Sequence, residues 1–373
     1  MKSLSIGMIG TGYMGKAHAI AYRNAGAVFP LSASIKCEFL ADINLTQAKV
    51  KAEEFGFNRY TDDWQLLVSD PLIDIVDICA PNFLHKDIAL LAIKNGKHVY
   101  SEKPLALNSE DAKIMTLAAE AAGVKTLVGF NYIKNPTIQL AKQIIENGEI
   151  GDVVHFRGTF NEDYLADENT SFSWRLQREF SGTGALGDMG SHIINMAQFL
   201  VSPISSLCAD MSTIYTTRYE PNDPIPKNVE NDDQVHMMVR FKSGAIGTIE
   251  SSRIAWGRKN GLWFEVTGTK GTIIYDQERL SELQLFTAED KKSRQGFRTI
   301  LTGPEHPDYE NFCVSAGHGL GYNDMKSVEI RDLIDGITSN SPMYPDFRAA
   351  WEVTKVIDAA EVSFKNGTWV TVD

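Results

Sequence analysis

LSIGMIGTGYMGKAHA, residues 4–19, decides the first half of the fold. Leu4–Ile9 is an apolar run that reads as a strand. Gly10, Gly12 and Gly15 follow at G-x-G-x-x-G spacing, and Lys16–Ala25 carries a helical pattern. A strand that turns through glycines directly into a helix is the geometry that holds a dinucleotide. Gly10 permits the tight turn, Gly12 lets the backbone approach a pyrophosphate, and Gly15 allows close helix–strand packing. The helix N-terminus then turns its N–H groups and positive dipole end toward the phosphates. Thr11, Tyr13 and Met14 complete the turn. The second strand, CEFLAD (residues 37–42), ends in Asp42, a carboxylate placed to accept hydrogen bonds from the adenosine ribose. Its charge repels a 2′-phosphate and no Arg follows it, so the cofactor expected is NAD rather than NADP. Asp42 stands farther from the glycines than the usual ~20 residues, a distance attributed to an extra segment, Ala27–Lys36.

Outward from this stretch, short apolar runs alternate with helical patterns as far as residue 130. Thr46–Phe55, Trp64–Val68, His85–Asn95 and Ser109–Ala122 read as helices; Ile73–Cys79, His98–Tyr100 and Thr126–Phe130 read as strands. That alternation predicts βαβ units and a doubly wound parallel sheet, a Rossmann domain over residues 1–131. Beyond it, the helix Thr137–Asn147 and the strand Val153–Phe160 lead into a polar stretch, Asn161–Ser173. HMMVRF, AIGTIESS, LWFEVTG and TIIYD then follow one another between glycine turns, and two helices, Met325–Thr338 and Ala349–Phe364, close the chain. Residues 132–373 are therefore expected to form an α/β domain with a large open, predominantly antiparallel sheet, for substrate binding and oligomerisation.

Composition narrows the function. The 373 residues exceed what one core usually serves. Lys plus Arg number 36 against 48 Asp plus Glu, a formal charge of -12, which disfavours nucleic acid and anionic lipid as partners. No apolar run approaches a membrane span and the first residues do not read as a signal peptide, so a cytoplasmic protein is expected. Cys37, Cys79, Cys208 and Cys313 lie far apart and read as reduced thiols. The histidines show no spacing of a zinc site, and no metal is expected.

Two further segments suggest chemistry. Ser101–Pro104 (SEKP) stands at the carboxyl end of a parallel strand, where open α/β sheets bind ligands, and so places Lys103 near the nicotinamide. A lone loop lysine is otherwise an ordinary solvated charge. In GALGDMGSHIIN (residues 184–195), Asp188 and His192 stand one helical turn apart on one face. Such a pair is as often only a cap and its neighbour. Alcohol oxidation needs a base for the hydroxyl proton, and histidine titrates near neutral pH. A nearby cation stabilises the developing alkoxide. Lys103, Asp188 and His192 together supply cation, orienting acid and base.

GMIGTGYMGKAHA (7–19), ICAPNFLH (78–85), Glu102–Leu105 (EKPL) and GALGDMGSH (184–192) resemble, in order and spacing, the signature stations of the Gfo/Idh/MocA family, the relatives of glucose–fructose oxidoreductase and inositol dehydrogenase. The resemblance extends over essentially the whole chain. It implies that Lys103, Asp188 and His192 form the catalytic set and bind substrate. It places Pro81, Asn82, His85 and Glu102 near the dinucleotide and implies a homodimer or homotetramer packed through the open sheets. The family often carries an acid three residues after the histidine, where this chain has Asn195. Residues 156–188 resemble a levoglucosan dehydrogenase-like subgroup acting on hexopyranose-like rings. That likeness puts Trp174 and Arg175 near the nicotinamide or substrate, Asn131 and Tyr132 along the pocket, and Tyr322 and Asn323 beside it. The expected activity is oxidation of a secondary ring hydroxyl of a sugar, anhydrosugar or cyclitol by NAD. The alternatives are an NAD-dependent glycosidase that oxidises its substrate transiently and a non-catalytic dinucleotide-binding regulator.

Overall fold

The computed structural model describes residues 3–373. The chain divides into two compact units, one of residues 1–134 and 321–351 and the other of residues 135–320 and 352–373. The expected division at 131/132 assigned everything after it to one domain. In the structure, residues 321–351 fold with the first unit instead.

The first unit begins with β1 (Ser3–Ile9) and α1 (Tyr13–Val28), then β2 (Ser34–Ala41), α2 (Leu45–Phe55), β3 (Arg59–Thr61) and α3 (Trp64–Ser69). There follow β4 (Ile75–Ile78), α4 (His85–Lys94), β5 (His98–Ser101), α5 (Ser109–Ala122) and β6 (Thr126–Val128). All six strands are parallel, in the order β3-β2-β1-β4-β5-β6. Every residue of β4, Ile-Val-Asp-Ile, is buried, as expected of a strand covered on both faces. The chain order reverses between β1 and β4, and the crevice at such a switch point is where this architecture binds ligands. The expected insertion Ala27–Lys36 is absorbed by a longer α1 and an earlier β2, and only residues 29–33 connect them.

In the second unit, α6 (Pro136–Glu146) precedes β7 (Val153–Asn161), α7 (Arg178–Ser181), α8 (Ser191–Leu200) and β8 (Ile204–Ser212). A small ribbon of β9 (Thr217–Tyr219) and β10 (Pro226–Asn228) comes next, then β11 (Gln234–Phe241), β12 (Ile246–Ser252), β13 (Gly261–Gly268), β14 (Gly271–Asp276), β15 (Glu282–Thr287) and β16 (Arg298–Leu301). The sheet has nine strands, β16-β15-β14-β13-β7-β12-β11-β8-β17, with β17 at Val370–Thr371. Only β12 and β7 pair parallel, so the sheet is predominantly antiparallel. β11 alternates buried Val235, Met237 and Val239 with exposed His236, Met238 and Arg240, the two-residue period of a sheet packed on one face. No helix among the described residues is long and apolar enough to cross a membrane.

The first unit is completed by α9 (Tyr322–Ser339) and the start of α10 (Phe347–Asn366). Ile330, Leu333, Ile334 and Ile337 of α9 join Ala21, Tyr22 and Ala25 of α1 and Ile6 and Met8 of β1 in one core. These isoleucines and leucine recur at helical spacing. That apolar face is the physical reason the chain returns to the first unit.

Candidate active site

In the first unit the glycine turn lies at the carboxyl end of β1. Gly10 has φ 105°, and a Cβ there would stand 2.5 Å from the carbonyl oxygen of Cys79. A Cβ on Gly15 would stand 2.2 Å from the carbonyl oxygen of Gly10. Both glycines are therefore required by the chain's own packing. Gly12 differs, because a Cβ there meets nothing within 4 Å. The N-terminus of α1 has no side-chain cap and no acid in its first turn, which suits a phosphate rather than a protein partner. Tyr13 is exposed and Met14 half-buried.

Asp42 accepts the Thr11 N–H at 3.1 Å and the Thr11 hydroxyl, and Gln47 Nε2 donates to Thr11 Oγ1 at 2.8 Å. The acid that ends β2 is thus locked to the glycine turn. After β4, Pro81 and Asn82 are half-buried and His85 fully buried. The ring nitrogens of His85 lie 2.9 Å from the carbonyl oxygens of Pro104 and Ala80, joining the turns that follow β4 and β5. Burial pushes its pKa down.

At the end of β5, Ser101, Glu102, Pro104 and Leu105 are buried, and Lys103 among them is only half-buried. Beneath it lies a buried charge cluster. Glu102 Oε1 accepts from His18 Nε2 at 2.9 Å and from Lys326 Nζ at 2.6 Å, and Glu102 Oε2 accepts the Lys103 N–H at 3.3 Å. His18 Nδ1 contacts Asp77 at 2.9 Å, Lys326 reaches Glu329 at 2.9 Å, and Tyr100 donates to Glu329 at 2.6 Å. Burial alone would lower the His18 pKa, but the charges of Asp77 and its neighbours outweigh it and hold the ring well above its ordinary value. Burial likewise opposes ionisation of Glu102 and Lys326. Their mutual attraction prevails, so the Glu102 carboxyl is depressed and the Lys326 ammonium raised. His18, Asp77 and Cys79 come close enough to hold a metal ion between them, a juxtaposition that sequence spacing did not suggest. His18 and Asp77 already spend those atoms on the hydrogen bond between them.

Asn131 is 1% exposed, and its Nδ2 has no hydrogen-bond partner among the described residues. Near it in sequence, the Tyr132 ring stands edge-on to Tyr322 at 6.2 Å, Tyr322 lies 5.9 Å from Tyr13, and the Tyr322 hydroxyl contacts Met14 Sδ at 3.3 Å. Four residues expected at the site from three distant segments are therefore neighbours. Asn323 is exposed beside them. An open position at Gly12, an uncapped helix end and an unpartnered buried amide donor all fit a bound dinucleotide.

In the second unit Asp188 does not belong to a regular α-helix, as expected, but to a π-helical turn, Leu186–Gly190, that runs into α8. Asp232 builds this turn. Its Oδ1 accepts the Gly184 N–H at 2.6 Å, its Oδ2 the Leu186 N–H at 2.8 Å, and its carbonyl the Ala185 N–H at 2.9 Å. Burial pushes its carboxyl pKa up. Arg253 is buried with it, donating to Asp233 and Asn231 at 2.9 Å each. A Cβ on Gly184 would lie 1.9 Å from the Asp232 carbonyl oxygen. From Ser181 to Gly190, Asp188 is the only residue that is not buried. His192 is 6% exposed in the first turn of α8 and packs against Phe160 of β7 at 5.8 Å. Asn195 is buried one turn further on. Trp174 is half-buried with the exposed Arg175 guanidinium over its ring at 4.6 Å.

Residues 4–130 match the model of an oxidoreductase family with an NAD-binding Rossmann fold, and residues 138–274 match the GFO/IDH/MocA C-terminal domain. The chain belongs to the Gfo/Idh/MocA family of oxidoreductases. Within the family it is similar to levoglucosan dehydrogenase of Pseudarthrobacter phenanthrenivorans, 39% identical over 100% of this chain and 99% of that protein. Glucose-6-phosphate 3-dehydrogenase of Bacillus subtilis is 31% identical over 90% of this chain and 93% of its own. Among solved structures, levoglucosan dehydrogenase in complex with NADH and levoglucosan superposes with a TM-score of 0.97 at 40% identity, covering 100% of both chains.

Against this family background, sequence reasoning missed two kinds of residue. Tyr164, in the irregular stretch after β7, donates its phenolic O–H to Asp188 Oδ2 at 3.1 Å. Asp232 and the partners of Glu102 lie far in sequence from the groups they hold, and no local spacing announces them.

Proposed function

We propose that the chain oxidises a secondary ring hydroxyl of a sugar, anhydrosugar or cyclitol to the ketone, with NAD as acceptor. The observation that carries this reading is the full-length 40% identity to a levoglucosan dehydrogenase whose structures hold NADH with levoglucosan or L-sorbose. Supporting it, Lys103 and Asp188 are each the accessible polar residue in an otherwise buried segment.

Gly10, Thr11, Gly12, Tyr13, Met14 and Gly15 would hold the pyrophosphate and Asp42 the adenosine ribose. Pro81, Asn82, His85, Glu102, Lys103, Asn131, Trp174 and Arg175 are assigned to the rest of the dinucleotide. Bound NAD supplies the acceptor for the hydride that leaves the carbinol carbon. His192 takes the hydroxyl proton as that C–H bond breaks. Lys103 stabilises the negative charge building on the same oxygen. Asp188 orients His192 and a ring hydroxyl, and Tyr132 and Tyr322 complete the substrate side.

NADH formation, followed by absorbance across inositols, hexoses, glycosides and 1,6-anhydrosugars, tests the proposal. Turnover with a ring polyol, lost in His192→Ala while NADH binding is retained, is the expected result. Silence across the panel, or near-normal turnover by His192→Ala, overturns it. The open sheet face that carries Met238 and Ile246, 52% and 57% exposed, is assigned to a dimer or tetramer contact. A monomer by light scattering would remove that assignment.

A further inference from the structure

Tyr164 and Asp188 are brought together by two separately anchored segments. On one side, Glu162 N–H donates to the Ser252 carbonyl at 2.8 Å and Leu165 N–H to the Arg253 carbonyl at 3.0 Å, so the backbone is pinned before and after Tyr164. Asp163 between them accepts from Gly257 N–H at 3.0 Å and Lys259 Nζ at 2.6 Å. On the other side Asp232 fixes the turn that carries Asp188. The phenol–carboxylate contact is 3.1 Å long, yet Tyr164 is 39% exposed. A hydrogen bond that solvent can replace adds little to stability, so folding alone does not account for this one.

Its chemistry is selective. Having donated its proton to Asp188, the phenol offers an approaching ligand only lone pairs, and an ionised carboxylate has no donor at all. A phenol at neutral pH keeps its proton, and with Asp188 as its acceptor the O–H stays in place as the donor. Two acceptor oxygens 3.1 Å apart converge on a single hydroxyl donor, which can bond either of them while meeting no competing donor.

We propose that Tyr164 and Asp188 form a two-oxygen clamp for the hydroxyl beside the one oxidised, making the enzyme selective for vicinal ring diols. This rests on the dehydrogenase reading above. A site built to pair a hydroxyl rejects the analogue that lacks it far more strongly than an apolar pocket rejects an extra group.

The test compares wild type and Tyr164→Phe on the polyol found in the panel and on its two analogues deoxygenated at either carbon flanking the oxidised one. Wild type should lose activity steeply with one analogue. Tyr164→Phe should lower kcat/KM for the polyol by roughly ten- to hundredfold and change little with that analogue, narrowing the gap between them. NADH affinity should be unchanged. Equal losses on polyol and analogue would reduce Tyr164 to a structural support, and indifference of wild type to both deoxygenations overturns the clamp while leaving the dehydrogenase reading intact. A wild type inactive on every ring polyol overturns that reading, and the clamp with it.

Discussion

Gly12 is the residue whose identity the folded chain does not itself require. Its neighbours Gly10 and Gly15 are held to glycine by carbonyl oxygens at 2.5 and 2.2 Å, whereas a methyl group at Gly12 meets nothing within 4 Å. Gly12→Ala should therefore cost the fold no more than the roughly 1 kcal/mol of a poorer N-cap for α1, while weakening NADH binding by roughly tenfold or more, since a pyrophosphate needs close backbone approach there. A fluorescence titration beside a thermal melt checks both halves. Asp42 gives a second residue-scale prediction. With Asp42 proposed to face the adenosine ribose, Asp42→Ala would remove a charge that repels a 2′-phosphate, and kcat/KM with NADP should rise relative to NAD by about tenfold; an unchanged ratio would assign Asp42 to Thr11 alone. The glycine turn, its helix and the acid that ends β2 were legible as structure because they are local in sequence. Tyr164 was not legible: its meaning lies in a partner 24 residues away, across a stretch with no regular period.

At the scale of elements, legibility follows periodicity and burial. β4 and α4 stand where their apolar patterns put them, within two residues. β8 was passed over because serines interrupt its apolar alternation in Ile204–Ser212, and β3 because three residues carry too short a pattern. The π-helical turn at Leu186–Gly190 was also not readable, because it depends on Asp232, which reaches it from outside the segment. Single extra-residue turns of this kind occur often at functional sites. Asp232→Asn is the sharp variant. An amide has one acceptor oxygen, so one of the N–H groups of Gly184 and Leu186 must then face an NH₂ group in a buried place. A loss of about 1–3 kcal/mol in urea unfolding is expected, with kcat falling and NADH affinity unchanged. If kcat and unfolding midpoint both hold, Asp232 does not position Asp188.

The molecule as a whole carries its oddest feature inside the first unit, where β4, β5, α1 and α9 meet around buried charges. His18, Asp77, Lys326 and Glu329 are wholly buried and Glu102 nearly so. Sequence reading left α9 in the other domain because its apolar face does not say which sheet it covers; Lys326 and Glu329 on that helix are what tie it chemically to Tyr100 and Glu102. Replacing such clusters by apolar groups is often neutral or stabilising, so their pH response is the clearer signature. The His18 pKa is raised in the folded state. Its proton therefore adds stability that is fully present below the ordinary histidine value of ~6.5 and is lost as pH climbs through the folded value. Glu102 is depressed, so its contribution is present above ~4.3 and is lost as pH falls below that. His85, lowered by burial, also costs stability as pH falls below ~6.5. Stability should then peak near neutrality, with an alkaline slope of up to about 1.4 kcal/mol per pH unit for the one proton on His18. Urea midpoints of the whole chain measured from mildly acidic pH up to about pH 8, below the range where the buried Cys37 and Cys79 thiols add their own loss, should show that slope in wild type. In His18→Gln it should flatten, because no imidazole remains to release a proton, while the whole curve drops as Asp77 loses its partner. A slope that persists in the variant would mean the proton resides elsewhere in the cluster.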